Sequence, residues 1–187
     1  MGVNFTAYFP HDLSVEQIQE LCHSLNTRIE EFPSIQQFVE HLLPYNPEDV
    51  VKEWKFYPNC IGGTTEIDGP CGISLTFSEK VCYFHHYIRW RAFLLYDSTQ
   101  ESLRAVCRGI ASVIGASSAV YVPDNGSVES DLLDFIWEDR NEDFAYITNW
   151  LLENSGPPKD TIRDIYKEYE EYWDSEGYFI DRFEKEN

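Results

Sequence analysis

Residues 81–95 read Val-Cys-Tyr-Phe-His-His-Tyr-Ile-Arg-Trp-Arg-Ala-Phe-Leu-Leu. Drawn out as one strand, this segment places Tyr83, His85, Tyr87, Arg89, Arg91 and Phe93 on a common face. An imidazole and two guanidiniums spaced about 7 Å apart along a strand can grip a carboxylate or phosphate, with phenols to orient it. Tyr83, His85, Arg89 and Arg91 are therefore the candidate residues for binding an anionic ligand. The opposite face, from Cys82 through Phe84, His86, Ile88 and Trp90 to Leu94, is apolar enough to be the core side. The competing expectation is that these cations pair with acids on helices packed across the sheet.

Cysteine spacing offers a second chemistry. Cys60, Cys71 and Cys82 lie eleven residues apart, with His85 and His86 just beyond. Three sulfurs and an imidazole suit zinc, but no two cysteines stand two to four residues apart, and Cys82 and His85 belong to opposite strand faces. Equal spacing is better explained by regular strand lengths in a meander. Gly69-Pro70-Cys71-Gly72 would expose a thiol on a turn upstream of two histidines, the raw parts of a Cys–His nucleophile. That pairing is unspecific, and the chain has no Gly-rich phosphate loop, serine nucleophile elbow or zinc-protease helix pair. Asp131, Asp134, Glu138 and Asp139 read as a solvated helix face. No catalytic residue, metal or cofactor is expected, and the balance leans away from an enzyme.

Charge says more about partners. Thirty-three Asp and Glu against fourteen Lys and Arg give a net charge of −19. Residues 1–78 carry −8 and residues 121–187 carry −13, whereas residues 79–120 carry +2. Such a field repels nucleic acid and anionic lipid and attracts cationic proteins. Within the acidic carboxy-terminal part, Glu168, Glu171, Tyr172 and Asp174 combine carboxylates with an aromatic and are the candidate residues for partner contact.

The elements that must position these groups follow from pattern. Apolar residues make up 43% of the 187 residues, including twelve Phe, twelve Tyr and five Trp. This is core material for one domain rather than the composition of a disordered acidic chain. Val3–Phe9 alternates as a first strand. Ser14 caps a helix carrying Ile18, Leu21, Cys22 and Leu25, and Pro33 opens another carrying Ile35 and Phe38. Glu53–Tyr57, Thr64–Ile67, Cys71–Phe77 and Val81–Leu95, separated by Gly and Pro turns, predict an antiparallel meander. Fifteen residues is long for one strand, so a bend or break is expected near His86–Ile88. Ser98-Thr99-Gln100-Glu101 reads as a capping box for a helix that Gly115 stops. A short strand over 119–122 would make residues 88–122 a strand–helix–strand crossover. Helices are expected after Ser127, over Phe144–Leu152 and from Lys159, with Tyr178-Phe179-Ile180 adding an edge strand.

The fold class expected is α+β, a mainly antiparallel sheet (the meander over about 53–95 plus strands near 3–9 and 118–122) covered on one face by helices, with a helical carboxy-terminal third. Five cysteines, no secretory leader pattern and no apolar run of about 20 residues point to free thiols in a cytoplasmic, non-membrane setting. Met1-Gly2-Val3-Asn4-Phe5-Thr6 fits a myristoylation pattern, but its flanks are acidic rather than polybasic. The leading functional expectation is a non-catalytic acidic protein that binds and neutralises a basic protein partner, in the manner of an immunity protein or antitoxin. The alternative is a small-molecule binding protein or enzyme using the Tyr83/His85/Arg89/Arg91 strip.

Overall fold

The computed structural model describes residues 3–41, 53–124, 143–167 and 177–183. Among them runs a seven-stranded sheet in the spatial order β2-β3-β4-β5-β1-β6-β7, every neighbouring pair antiparallel. The strands are β1 Asn4–Pro10, β2 Lys55–Tyr57, β3 Thr65–Asp68, β4 Ser74–Phe77, β5 Val81–Arg89, β6 Ser118–Pro123 and β7 Phe179–Arg182. The α+β class is thus as the sequence pattern implies. The first strand sits in the middle of the sheet, between β5 and β6. Because β1 is antiparallel to both, β5 and β6 run parallel, and the helical segment between them is a crossover that skips one strand.

Alternation along the strands decides the two faces. Phe5, Ala7 and Phe9 of β1 point inward with Phe84, Leu75, Phe77, Ile67, Ala119 and Tyr121 into the main core. Helices α1 Val15–Thr27, α2 Pro33–His41 and α4 Asp97–Ile114 cover this face and bury Leu21, Ile35, Phe38, Leu103, Val106 and Ile110 against it. Ser14 starts α1 with a complete capping box, its side chain accepting from Gln17 N–H while the Gln17 side chain accepts from Ser14 N–H. Gly115 ends α4 in the left-handed region at φ 75°, and its N–H donates to Ala111. The expected capping box at Ser98 is not used. The helix begins at Asp97 behind Tyr96 without a side-chain cap, because the short helix α3 (Trp90–Leu95) runs almost directly into it.

The sequence pattern implied helices on one face only, and here the structure differs. Helix α5, Phe144–Ser155, crosses the other face. Its Ile147 and Leu151 pack on Tyr8, Val81, Tyr83, Val120, Val122 and Tyr178 as a second apolar core. The outward alternation of β1, β5 and β6 supplies this core: Tyr8 pairs with Tyr83 and with Val120 across the sheet. A further short helix, α6 (Ile162–Lys167), buries Ile162 and Ile165 in the main core.

Strand β5 stops at Arg89, and α3 starts at Trp90. The irregularity expected near His86–Ile88 is present as a bulge: Thr6 pairs with His85, yet Asn4 pairs with Arg89, so β5 spends two extra residues there. Inserted residues lose ladder partners. The buried His86 ring repairs this, its Nδ1 accepting from Ile88 N–H at 3.1 Å.

Candidate functional site

The structure divides the strip read along residues 83–91. Tyr83 is 5% exposed and belongs to the second core beneath α5. Arg91 does not extend the strand face: it lies on α3 and is exposed, because the chain turns helical one residue earlier. His85 and Arg89 stay on the outer face, since a bulge of two residues preserves side-chain parity. They are joined through a residue that sequence reasoning missed. Asp124, just past β6, accepts hydrogen bonds from Asn4 N–H and from Asn4 Nδ2 at 2.7 Å, and its Oδ2 lies 3.6 Å from His85 Nε2. Asn4 Oδ1 in turn accepts from Arg89 at 2.8 Å. Asp124 and Asn4 are 120 residues apart in sequence, and only β1 lying beside β6 brings them together.

The Cys–His arrangement also resolves into structure. Cys71 is not exposed by its turn: it is 3% exposed and takes φ 57° between Pro70 and Gly72. His86 Nε2 lies 3.0 Å from the Cys71 carbonyl oxygen rather than addressing a thiol. With Nδ1 accepting from Ile88 N–H, the ring is the neutral Nε2–H tautomer. Burial pushes its pKa down to about 4, against the opposing pull of the Cys71 carbonyl. Cys82 is wholly buried, and burial pushes its thiol far above the ordinary range. Among the described residues no three His, Cys, Asp or Glu side chains converge as a metal would need.

A different cluster stands at the β2 edge of the sheet. Outward alternation on β2 and β3 puts Lys55 opposite Asp68 and Tyr57 opposite Glu66. Tyr57 is 41% exposed, and Ile61, on the turn that follows, is 74% exposed. Partial burial, and then the charge of Asp68, hold the Glu66 carboxyl above its ordinary range, while a hydrogen bond with the Cys60 thiol pulls the other way. Burial, Glu66 and Asp68 together push that thiol up, so it is a poor nucleophile. Glu53 adds a further exposed carboxylate just before the strand. Exposed Tyr57 opposite Glu66, with Asp68 on the same face and Lys55 opposite it, forms an edge where a partner's Lys or Arg would relieve the Glu66–Asp68 repulsion. The strand is pinned from behind: Asn26 at the end of α1 donates to Trp54 C=O and accepts from Trp54 N–H, both at 2.8 Å.

Nothing in the local sequence marks this edge as special, because Glu66 and Asp68 are two apart and look like ordinary solvated strand residues. Their shared face is the one available signal. Glu168, Glu171, Tyr172 and Asp174 lie outside the described residues. No protein-family model, curated protein or solved structure matches this chain, so its function rests on its own residues.

Proposed function

We propose that this protein is a non-catalytic acidic interaction protein that binds and neutralises a basic protein partner, with the β2 edge as one contact surface. The observation that carries the reading is how cations and acids are distributed. Arg28 faces Glu20 and Glu31, Lys80 faces Asp12, Arg104 faces Asp181 and Arg163 faces Asp97. These four cations are already neutralised within the chain, while Glu66 and Asp68 repel one another beside exposed Tyr57, and Lys55 opposite Asp68 makes no ion pair among the described residues. A surplus of −19 therefore remains for a partner to meet. Aromatic and aliphatic anchors supply contact area, and the field steers the encounter. The carboxylates and aromatic of Glu168, Glu171, Tyr172 and Asp174 would extend the same chemistry along the chain. An immunity- or antitoxin-like role in the cytoplasm, away from membranes and nucleic acid, is the specific form of this reading.

The test is capture of host-lysate proteins on the immobilised chain, eluted with salt, using wild type beside Glu66→Gln/Asp68→Asn and Tyr57→Ala. A basic protein retained by wild type and released at moderate salt is expected, with retention weakened about tenfold or more by either variant. Removing a like-charge pair should at the same time leave Tm unchanged or raise it, by no more than ~0.5 kcal/mol of stability for so exposed a pair. Loss of binding together with unchanged or raised stability marks a site built for a partner. Retention that ignores both salt and the variants would refute it.

A further inference from the structure

The acidic field conceals a small site of opposite sign. Arg28, Arg89, Arg104 and Arg163 each hold an acid or amide partner. Arg91 on α3, Arg108 on α4 and Arg182 on β7 have neither a hydrogen bond nor an ion pair among the described residues, and Arg91 lies away from the other two. Both line one groove of about 930 Å³ between the start of α2, the end of α4 and the end of β7. Its apolar lining is Phe32, Val113, Ala116 and Phe183, all half-buried on the rim of the main core. Glu31 also lines the groove, but its carboxylate is engaged by Arg28 at 3.4 Å. The wall is set by a close approach of α2 to α4: a Cβ on Gly109 would stand 3.0 Å from the Ser34 Cβ.

We propose that this groove binds a small organic anion, a carboxylate, phosphate or sulfonate on an aromatic or aliphatic body. Each part of the ligand follows from the lining. Guanidiniums present planar forks that suit an oxyanion, and of the arginines without a partner among the described residues, Arg91, Arg108 and Arg182, two line this one groove. Apolar side chains on the rim of a core suit a hydrophobic body, and the volume is that of a small-molecule pocket. The field decides between a small anion and a polyanion. A nucleic acid or acidic peptide would meet the repulsion of −19 along its whole length, whereas a compact anion meets it once and is compensated at contact by two local cations. The groove is lined by residues distinct from those of the β2 edge, so it stands or falls separately from the basic-partner reading.

A matched pair of fluorescent probes tests it on the intact chain: 8-anilinonaphthalene-1-sulfonate, and N-phenyl-1-naphthylamine, which has the same rings without the sulfonate. The sulfonate probe is expected to bind saturably, and the neutral one about tenfold more weakly or worse. Arg108→Gln and Arg182→Gln should each weaken the sulfonate probe by about tenfold, while Arg163→Gln leaves it unchanged. Should either Gln variant melt early, Arg108→Lys and Arg182→Lys keep the charge but lose the fork, and intermediate affinity is expected. Equal affinity for the two probes, absence of saturable binding, or binding indifferent to both arginines would overturn the proposal.

Discussion

At the scale of single residues, histidine placement sets the acid limb of stability. His86 and His11 use one device: Nδ1 accepts the N–H of the residue two ahead, Ile88 or Leu13, and Nε2 meets a carbonyl, that of Cys71 or Ser78. Burial lowers both pKa values, that of His86 to about 4. The folded state therefore binds a proton later than the unfolded chain as pH falls. Stability is full above the ordinary histidine range near 6.5 and declines as pH drops from there toward 4, by an amount on the order of 3 kcal/mol for His86. His86→Asn keeps an acceptor for Ile88 N–H while removing the titration. It should be less stable than wild type at pH 7 by about 1–2 kcal/mol, for the lost bond to Cys71. Its denaturant midpoint should fall less steeply between pH 6.5 and 4. Parallel slopes for the two proteins would remove His86 from this account.

At the scale of elements, the carboxy-terminal strand is held by a small buried circuit. Arg104 on α4 donates to both oxygens of Asp181 on β7, at 2.7 and 3.0 Å, and the Tyr121 hydroxyl of β6 donates to the same carboxylate at 3.0 Å. The Arg104 guanidinium also lies 5.6 Å from the centre of the Phe179 ring, which stacks on Tyr121. Burial, ahead of the neighbouring charges, keeps the Tyr121 phenol and the Cys107 thiol protonated, so the carboxylate is the single anion to be matched by Arg104. Asp181→Ala strips partners from a buried phenol and a half-exposed guanidinium and should cost about 3 kcal/mol. Hydrogen exchange should show the loss concentrated in the β6–β7 ladder, since β6 is the one strand paired with β7 among the described residues. A cost below about 1 kcal/mol, spread evenly, would show that Phe179 packing alone seats the strand.

For the molecule as a whole, self-repulsion is the dominant electrostatic fact. Internal ion pairs such as Lys80–Asp12 and Arg163–Asp97 are exposed and worth little, so screening them costs less than screening the repulsion among the remaining acids gains. Raising salt from about 0.02 to 0.3 M, which cuts the Debye length to under 10 Å, should therefore raise Tm by about 2–4 °C. The same salt should weaken capture of a basic partner. Opposite responses of stability and binding to one variable are the signature expected if the charge serves association. A Tm that falls with salt would mean that the internal pairs outweigh the repulsion.

Much of the architecture was legible because its causes are local. The alternation Val3, Phe5, Ala7, Phe9 made β1, Ser14 and Gln17 capped α1, and Gly115 stopped α4, each through geometry within a few residues. Even the flaw in β5 announced itself as a strand too long to stay regular. What escaped the sequence depends on residues far apart in the chain. Tyr83 looked like a ligand residue until α5 covered it, and Arg91 looked like part of a strand until the crossover to β6 required a helix at Trp90. Gly69 read as turn chemistry, yet its reason is the Trp54 ring, which a Cβ there would overlap. Asp124 beside Asn4, Asp181 bonded to Arg104, and Arg108 in one groove with Arg182 have no sequence signature at all. Sequence alone determined which faces were apolar and how much charge the molecule carries, since both are sums over residues. Which charges cancel and which remain free was decided only by the tertiary structure, because electrostatic energy falls with distance in space and takes no account of distance along the chain.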